Sequence, residues 1–576
     1  MKRSLLHKFM VILMAGLVSC SSSDQTERLF EHFLNRHIER IKPIHKKYNE
    51  AVWATYSGKS SFSDLLQESR LTDSLYKVAG EPVEYYQNLL NNVYDNTTDF
   101  EILMKIKKSG LITDSLLKRQ FVKVFREYVS IQNNWEESES RKAKLFEQFF
   151  ELKKNDAAFW DSIMVTKNSN ARNEWINRYA KLTEDYRNMI KAMNSDAENL
   201  GYQNYYQMLM DFNSVDYSSI DEMISIIERE TSSDYQQLLA ISQKEICRQF
   251  EITPDEIGNK HYNYSVRQMM VPENWNKKFT REEVVKIVQD FFAFGEFDIS
   301  SIWKNSDIWY DEKKIDQSFF FCPDVDQKEY RIYADIKPST FGIYTLLHEI
   351  GHAVHYNNVD ANIPYLLKEP HVISTEAVAI YFNDKIYHSP VLRSMMGLPE
   401  SPGSIYYEAF SDPMRLVFLR KMLRNIQFEK QIFENPNQNF NELWWNLNEK
   451  YLLYSTCKEE RIPEWISNQH IVNASGGYLF YLFAFAISAQ LEAYFPDDII
   501  GPLKGFMRYG DAMPWNDLLK QATGEELNLS YLFNSYKWKS GPNVPITLDF
   551  KEKGNLSYHE QIIFDDLFSK NIYTFI

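Results

Sequence analysis

Cysteine is scarce, four in 576 residues. Cys20 ends a leader, and the three others, Cys247, Cys322 and Cys457, are an odd set far apart in the chain. That excludes a disulfide framework and leaves buried, reduced thiols as the expectation. Basic clusters are missing as well. Asp and Glu number 79 against 64 Lys and Arg, for a net charge of −15, which excludes nucleic acid and other polyanions as partners. Beyond the leader no apolar run is long enough to span a bilayer; the stretch from Gly476 to Ile487 is interrupted by Ser488 and Gln490 and reads as a core helix. No internal repeat or low-complexity segment breaks the chain, and Gly and Pro are sparse through its first half.

The leader itself is informative. Lys2 and Arg3 precede an apolar stretch from Phe9 to Val18, and Leu17-Val18-Ser19-Cys20 has the form of a bacterial lipobox, with cleavage before Cys20 and acylation of its thiol. An ordinary secretory signal is the alternative. The expected mature protein sits outside the cytoplasm, in the cell envelope of a bacterium, held to a membrane by lipid alone. The expected division is 1–19 signal, 20–44 lipidated Cys20 and tether, 45–542 catalytic domain, and 543–576 a tail without a reading. A chain this long exceeds one ordinary core, so two lobes with a cleft are expected, which suits a peptide substrate.

Between about 25 and 300 the pattern is helical. From Asn170 to Met208, aromatic and aliphatic residues recur at three-to-four spacing, as in consecutive amphipathic helices. Ser318-Phe319-Phe320-Phe321-Cys322-Pro323 and then Tyr330 to Ala334 predict a small β-hairpin, a strand of which could bind extended peptide by edge pairing.

Directly after it stands His348-Glu349-Ile350-Gly351-His352. On a helix the two histidines are one turn apart on one face, so both imidazoles can reach one zinc ion while Glu349 stands beside them to activate water. Leu347, Ile350 and Val354 repeat at helical spacing and supply the buried helix that such chemistry needs. Glu376, on a following helix, is placed to be the third ligand. His355 falls on the same face but closes a zinc sphere poorly from one straight helix, and it reads as a supporting or packing residue. The metzincin pattern is excluded, since it wants Gly at 355 and His at 358, where His355 and Asn358 stand. Downstream, Tyr478 and Tyr481 share a helical face with His470 shortly before them; these phenols are either core aromatics or donors to an oxyanion beside a metal.

These segments, with Leu443-Trp444-Trp445-Asn446-Leu447 through Tyr451 and Met513-Pro514-Trp515 through Gly524, resemble the angiotensin-converting-enzyme family of zinc peptidases in the same order. Asn199-Leu200-Gly201-Tyr202 is similar to its helical N-terminal half. The resemblance implies an all-α (mainly helical) fold in two halves around a deep channel, with a small sheet by the zinc. It implies zinc on His348, His352 and Glu376, with Glu349 as general base. His470 and Tyr481 match the family's transition-state donors, and Tyr478 a tyrosine that holds the substrate's terminal carboxylate. The implied activity is release of dipeptides from the C-termini of oligopeptides, with a related oligopeptidase of looser end recognition or a catalytically inactive peptide-binding lipoprotein as the alternatives. Several positions depart from the family. Its carboxylate-gripping lysine is Asn468 and a glutamine partner aligns with Asn263; a Cys-His pair is Cys322-Pro323; the aspartate that orients a zinc histidine is Ile380; and an arginine that binds chloride in many members is Phe480.

Overall fold

The computed structural model describes residues 23–56, 96–132, 169–257, 278–310, 318–398, 404–453, 461, 463–468, 471–472, 476–495 and 503–536. The fold is mainly helical with one small sheet. Among the described residues no helix is long and apolar enough to cross a membrane. Cys20, Asn263, His470 and the tail lie outside them.

The chain opens with α1 (Ser23–Tyr56), running straight through the stretch expected as a tether. Its apolar residues Phe30, Phe33, Leu34, Ile41 and Ile44 recur at helical spacing and pack against Leu103 and Ile106 of α2 (Asn96–Ser109) and Phe121, Val124 and Phe125 of α3 (Ser115–Gln132). The three-to-four pattern expected after Asn170 forms α4 (Ser169–Asn199), whose Tyr179, Leu182, Tyr186, Met189, Ile190 and Met193 enter the main core, and α5 (Tyr205–Phe212). Asn204 caps α5 by accepting from the Gln207 N–H. Then follow α6 (Ile220–Phe250), α7 (Arg281–Phe294) and α8 (Ser300–Asn305). Thr280 and Glu283 close a reciprocal capping box on α7.

The hairpin is present as β2 (Phe319–Asp324) and β3 (Glu329–Ile336), antiparallel, with Phe319 opposite Tyr333 and Phe321 opposite Arg331. A third strand, β1 (Asp307–Trp309), pairs parallel to β3, giving the order β1-β3-β2. The outer side of β2 is met by α1. The Asn49 amide donates to the Cys322 carbonyl at 3.0 Å, Lys46 pairs with Asp324 at 3.1 Å, Arg331 reaches Glu50 at 2.8 and 2.9 Å, and Trp53 packs edge-on against Phe321. The ion pairs are partly exposed and contribute at most about 1 kcal/mol each, so the aromatic contact carries most of the docking. Cys322 is buried and Cys247 half-buried, both as free thiols.

After the sheet come α9 (Thr340–Asn357), α10 (Val372–His388) and α11 (Pro390–Met395), then α12 (Ser404–Glu434), α13 (Phe440–Leu452), α14 (Tyr478–Tyr494), α15 (Leu503–Met507), α16 (Trp515–Thr523) and α17 (Leu529–Tyr536). Ser339 starts α9 by accepting from the Gly342 N–H. Helix α10 is the hub of the site. It packs on α9 and on α14, and buried ion pairs tie it further: Lys385 to Glu492 of α14 at 2.7 Å, and Asp384 to Arg415 of α12.

Candidate metal centre

Gly351 decides how close α9 and α10 come. A Cβ there would lie 2.9 Å from the Ala379 Cα, a backbone contact that cannot yield, so the bare glycine lets the helices approach and brings both histidines to Glu376. His348 Nε2 lies 3.6 Å from one Glu376 oxygen, and His352 Nε2 3.8 Å from the other. All three ligand atoms fall within 4.8 Å of one another. The imidazole planes are nearly perpendicular, 87° apart. His348, His352, Glu349 and Glu376 are all buried.

Burial alone drives the His348 pKa down to about 3. Burial, reinforced by His348 and His355, pushes His352 well below its usual value. Both rings are therefore neutral, the form that ligates. Two buried nitrogens close to a buried carboxylate have the arrangement of a divalent metal site, and these residues could hold a metal ion.

The remaining ring nitrogens fix the tautomers. The Thr375 hydroxyl lies 2.9 Å from His352 Nδ1; in the tautomer that ligates through Nε2, Nδ1–H donates its hydrogen bond to this oxygen. The Asn383 amide lies 3.3 Å from His348 Nδ1, while Asn383 Oδ1 is buried with no hydrogen-bond partner. Exchanging the amide O and N, atoms of near-identical shape, turns that contact into an acceptor for Nδ1–H and satisfies the orphan oxygen. The resembled family carries its acceptor at the position of Ile380, which here is buried in the core, so another residue has to serve. Asn383 lies two helical turns beyond Glu376 and so returns to its face, a periodicity visible in the sequence but not used. Thr375, beside Glu376, was also missed. We expect Thr375→Val to weaken divalent-metal affinity roughly 10–100-fold, read by competition against a chromogenic chelator. Unchanged affinity would show that the hydroxyl does not orient His352.

His355 stands apart. It is fully buried, neither ring nitrogen has a hydrogen-bond partner, and its ring faces Phe506. Burial lowers its pKa to about 3. It packs in the core as a neutral ring and lies outside the three-residue ligand group.

Helix α14 places the tyrosines. Tyr481 is buried, and its phenol is held well above its usual pKa first by burial and then by the charges of Glu376, Tyr478 and Glu349. The phenol is therefore protonated and able to donate, and it feels the charge of the ligand carboxylate and of Glu349. Tyr478 is hydrogen-bonded to Asn468, with its phenol oxygen 2.6 Å from Nδ2 and 2.9 Å from Oδ1. Phe320 of β2 stacks against His352, so the hairpin supports this ligand's ring.

No protein-family model matches the chain. The chain is similar to a curated protein described as "DNA double-strand break repair helicase HerA" from Saccharolobus solfataricus, at 29% identity over 155 residues, which is 25% of this chain and 30% of that protein's length. It is also similar to a solved structure described as "BsuCP Crystal Structure", with a TM-score of 0.52 and 15% identity, covering 89% of this chain and 98% of that one. At that identity the likeness is one of fold alone.

Proposed function

We propose that the protein is a zinc-dependent metallopeptidase of the angiotensin-converting-enzyme family that hydrolyses oligopeptides outside the cytoplasm, tethered through a lipid on Cys20. One observation carries the reading. A buried His348/His352/Glu376 donor set has its ligand atoms within 4.8 Å of one another, Glu349 in the next position of the helix, and on α14 a buried Tyr481 phenol that feels the charge of both carboxylates. Two neutral imidazoles and a carboxylate suit zinc, and the Thr375 and Asn383 contacts are the outer partners that zinc histidines take. The ion would supply a Lewis acid that acidifies water and polarises the scissile carbonyl.

The protein's own groups do the rest. Glu349 accepts the proton from the attacking water and passes it to the leaving amine. Tyr481 donates to the oxyanion as the carbonyl becomes tetrahedral, and His470, by resemblance, is the second donor. Tyr478 and Asn468 face the substrate's terminal carboxylate, with Asn263 the further candidate. Loading the full chain with zinc and following cleavage of an internally quenched oligopeptide tests the reading; a zinc-loaded chain that cuts nothing would end it.

Asn468 favours a second, looser reading of how the substrate's end is recognised. A lysine facing a carboxylate contributes about 1.5–3 kcal/mol through a charged hydrogen bond, and a neutral amide roughly half of that. The parent should therefore prefer a free over an amidated C-terminus by only about tenfold in kcat/KM, or about 1.4 kcal/mol, and Asn468→Lys should widen the gap. Rejection of the amide by roughly a thousandfold in the parent, about 4 kcal/mol, would instead support strict dipeptide release.

A further inference from the structure

Helix α14 begins without a side-chain cap of its own: Gly477 precedes it and offers none. Its first N–H groups need acceptors from elsewhere. Glu429, fully buried in α12, supplies one. Its carboxyl accepts the Gly476 N–H at 2.9 Å and the backbone N–H of Tyr478. On the other side Gly476, at φ +100°, sits so tightly against α5 that a Cβ would meet the Leu209 side chain at 2.4 Å and Tyr206 at 3.4 Å. The turn that leads into the tyrosine helix is thus clamped between α5 and α12.

An apolar side chain would fill this volume without the desolvation cost of a buried carboxyl. The second carboxyl oxygen, Oε2, is buried with no hydrogen-bond partner among the described residues, and the first is committed to the turn. We infer that Glu429 is a positioning residue, which fixes the first turn of α14 from the neighbouring helix and thereby sets where the Tyr478 and Tyr481 hydroxyls stand. The catalytic consequence rests on the peptidase reading, whereas the positioning itself does not. Burial pushes the Glu429 pKa up to about 8, so the neutral acid prevails at pH 7 and glutamine reproduces its charge, size and acceptor.

The test compares Glu429→Gln with Glu429→Met in the zinc-loaded full chain, methionine keeping the volume and removing the acceptor. By hydrogen exchange read by mass spectrometry, residues 476–482 should lose protection at least tenfold in Glu429→Met and keep it in Glu429→Gln, with the α9–α10 segments unchanged in both. Equal protection of 476–482 in all three proteins would overturn the inference whether or not the protein cuts peptides. Rates add a second readout. Glu429→Met should lower kcat about 10–100-fold, but no more than about threefold in a Tyr481→Phe background, where the oxyanion donor is already gone, while the displacement of Tyr478 appears separately as a rise in KM in both backgrounds. The same loss in both backgrounds, or a Glu429→Gln protein as impaired as Glu429→Met, would also overturn it. A shift in exchange with no hydrolysis by the parent would sink only the peptidase reading.

Discussion

Glu349→Gln is expected to retain about one zinc per chain and to lose hydrolysis by at least 10²–10⁴-fold, the range a general base supplies. The side chain stands one position from His348 on α9 but outside the ligand group. The amide keeps its size and buried packing, so the fold and the donor set should persist, while the group that takes the proton from water is gone. Metal analysis and kcat on one preparation separate the two effects. Turnover at the parent rate would remove Glu349 from the mechanism, and loss of zinc with loss of activity would make it a structural support for the site.

Tyr481→Phe should be the next most damaging change. A donor aimed at a developing oxyanion is worth about 10²–10³ in kcat, because its hydrogen bond strengthens as negative charge appears on the oxygen. The ring is buried between α10 and the core, so phenylalanine fills the same space and stability should hold. KM should move little, since the ground-state carbonyl carries little charge. A rise in KM with kcat intact would recast Tyr481 as a substrate-binding group.

Much of this site is readable from the residues alone because it obeys local rules. His348 and His352 repeat at one helical turn among Leu347, Ile350 and Val354, and α9 forms where that periodicity puts it. The hairpin before it and the apolar helix after Gly477 also follow from pattern. What the sequence hides is tertiary. The parallel pairing of β1 with β3 joins strands whose register is not set by a turn. Residues 25–44 carry a helical pattern yet fall within the expected tether, because the sequence does not show that α2 and α3 give Phe30 and Ile41 something to bury against. The close approach at Gly351 depends on Ala379, which lies on another helix. Glu429 reads as one more charged residue on a helix, and only the packing of α12 under the start of α14 makes it a buried acid.

The most direct test of a zinc peptidase centred on His348, His352 and Glu376 is product analysis. The full chain, stripped with chelator and then reloaded with zinc, is incubated with a mixture of oligopeptides bearing free C-termini, and the products are read by mass. The account predicts loss of C-terminal dipeptides from many sequences, absent in the stripped protein and restored on adding zinc. Peptides left intact by the zinc-loaded chain, or cut equally well by the stripped one, would contradict it.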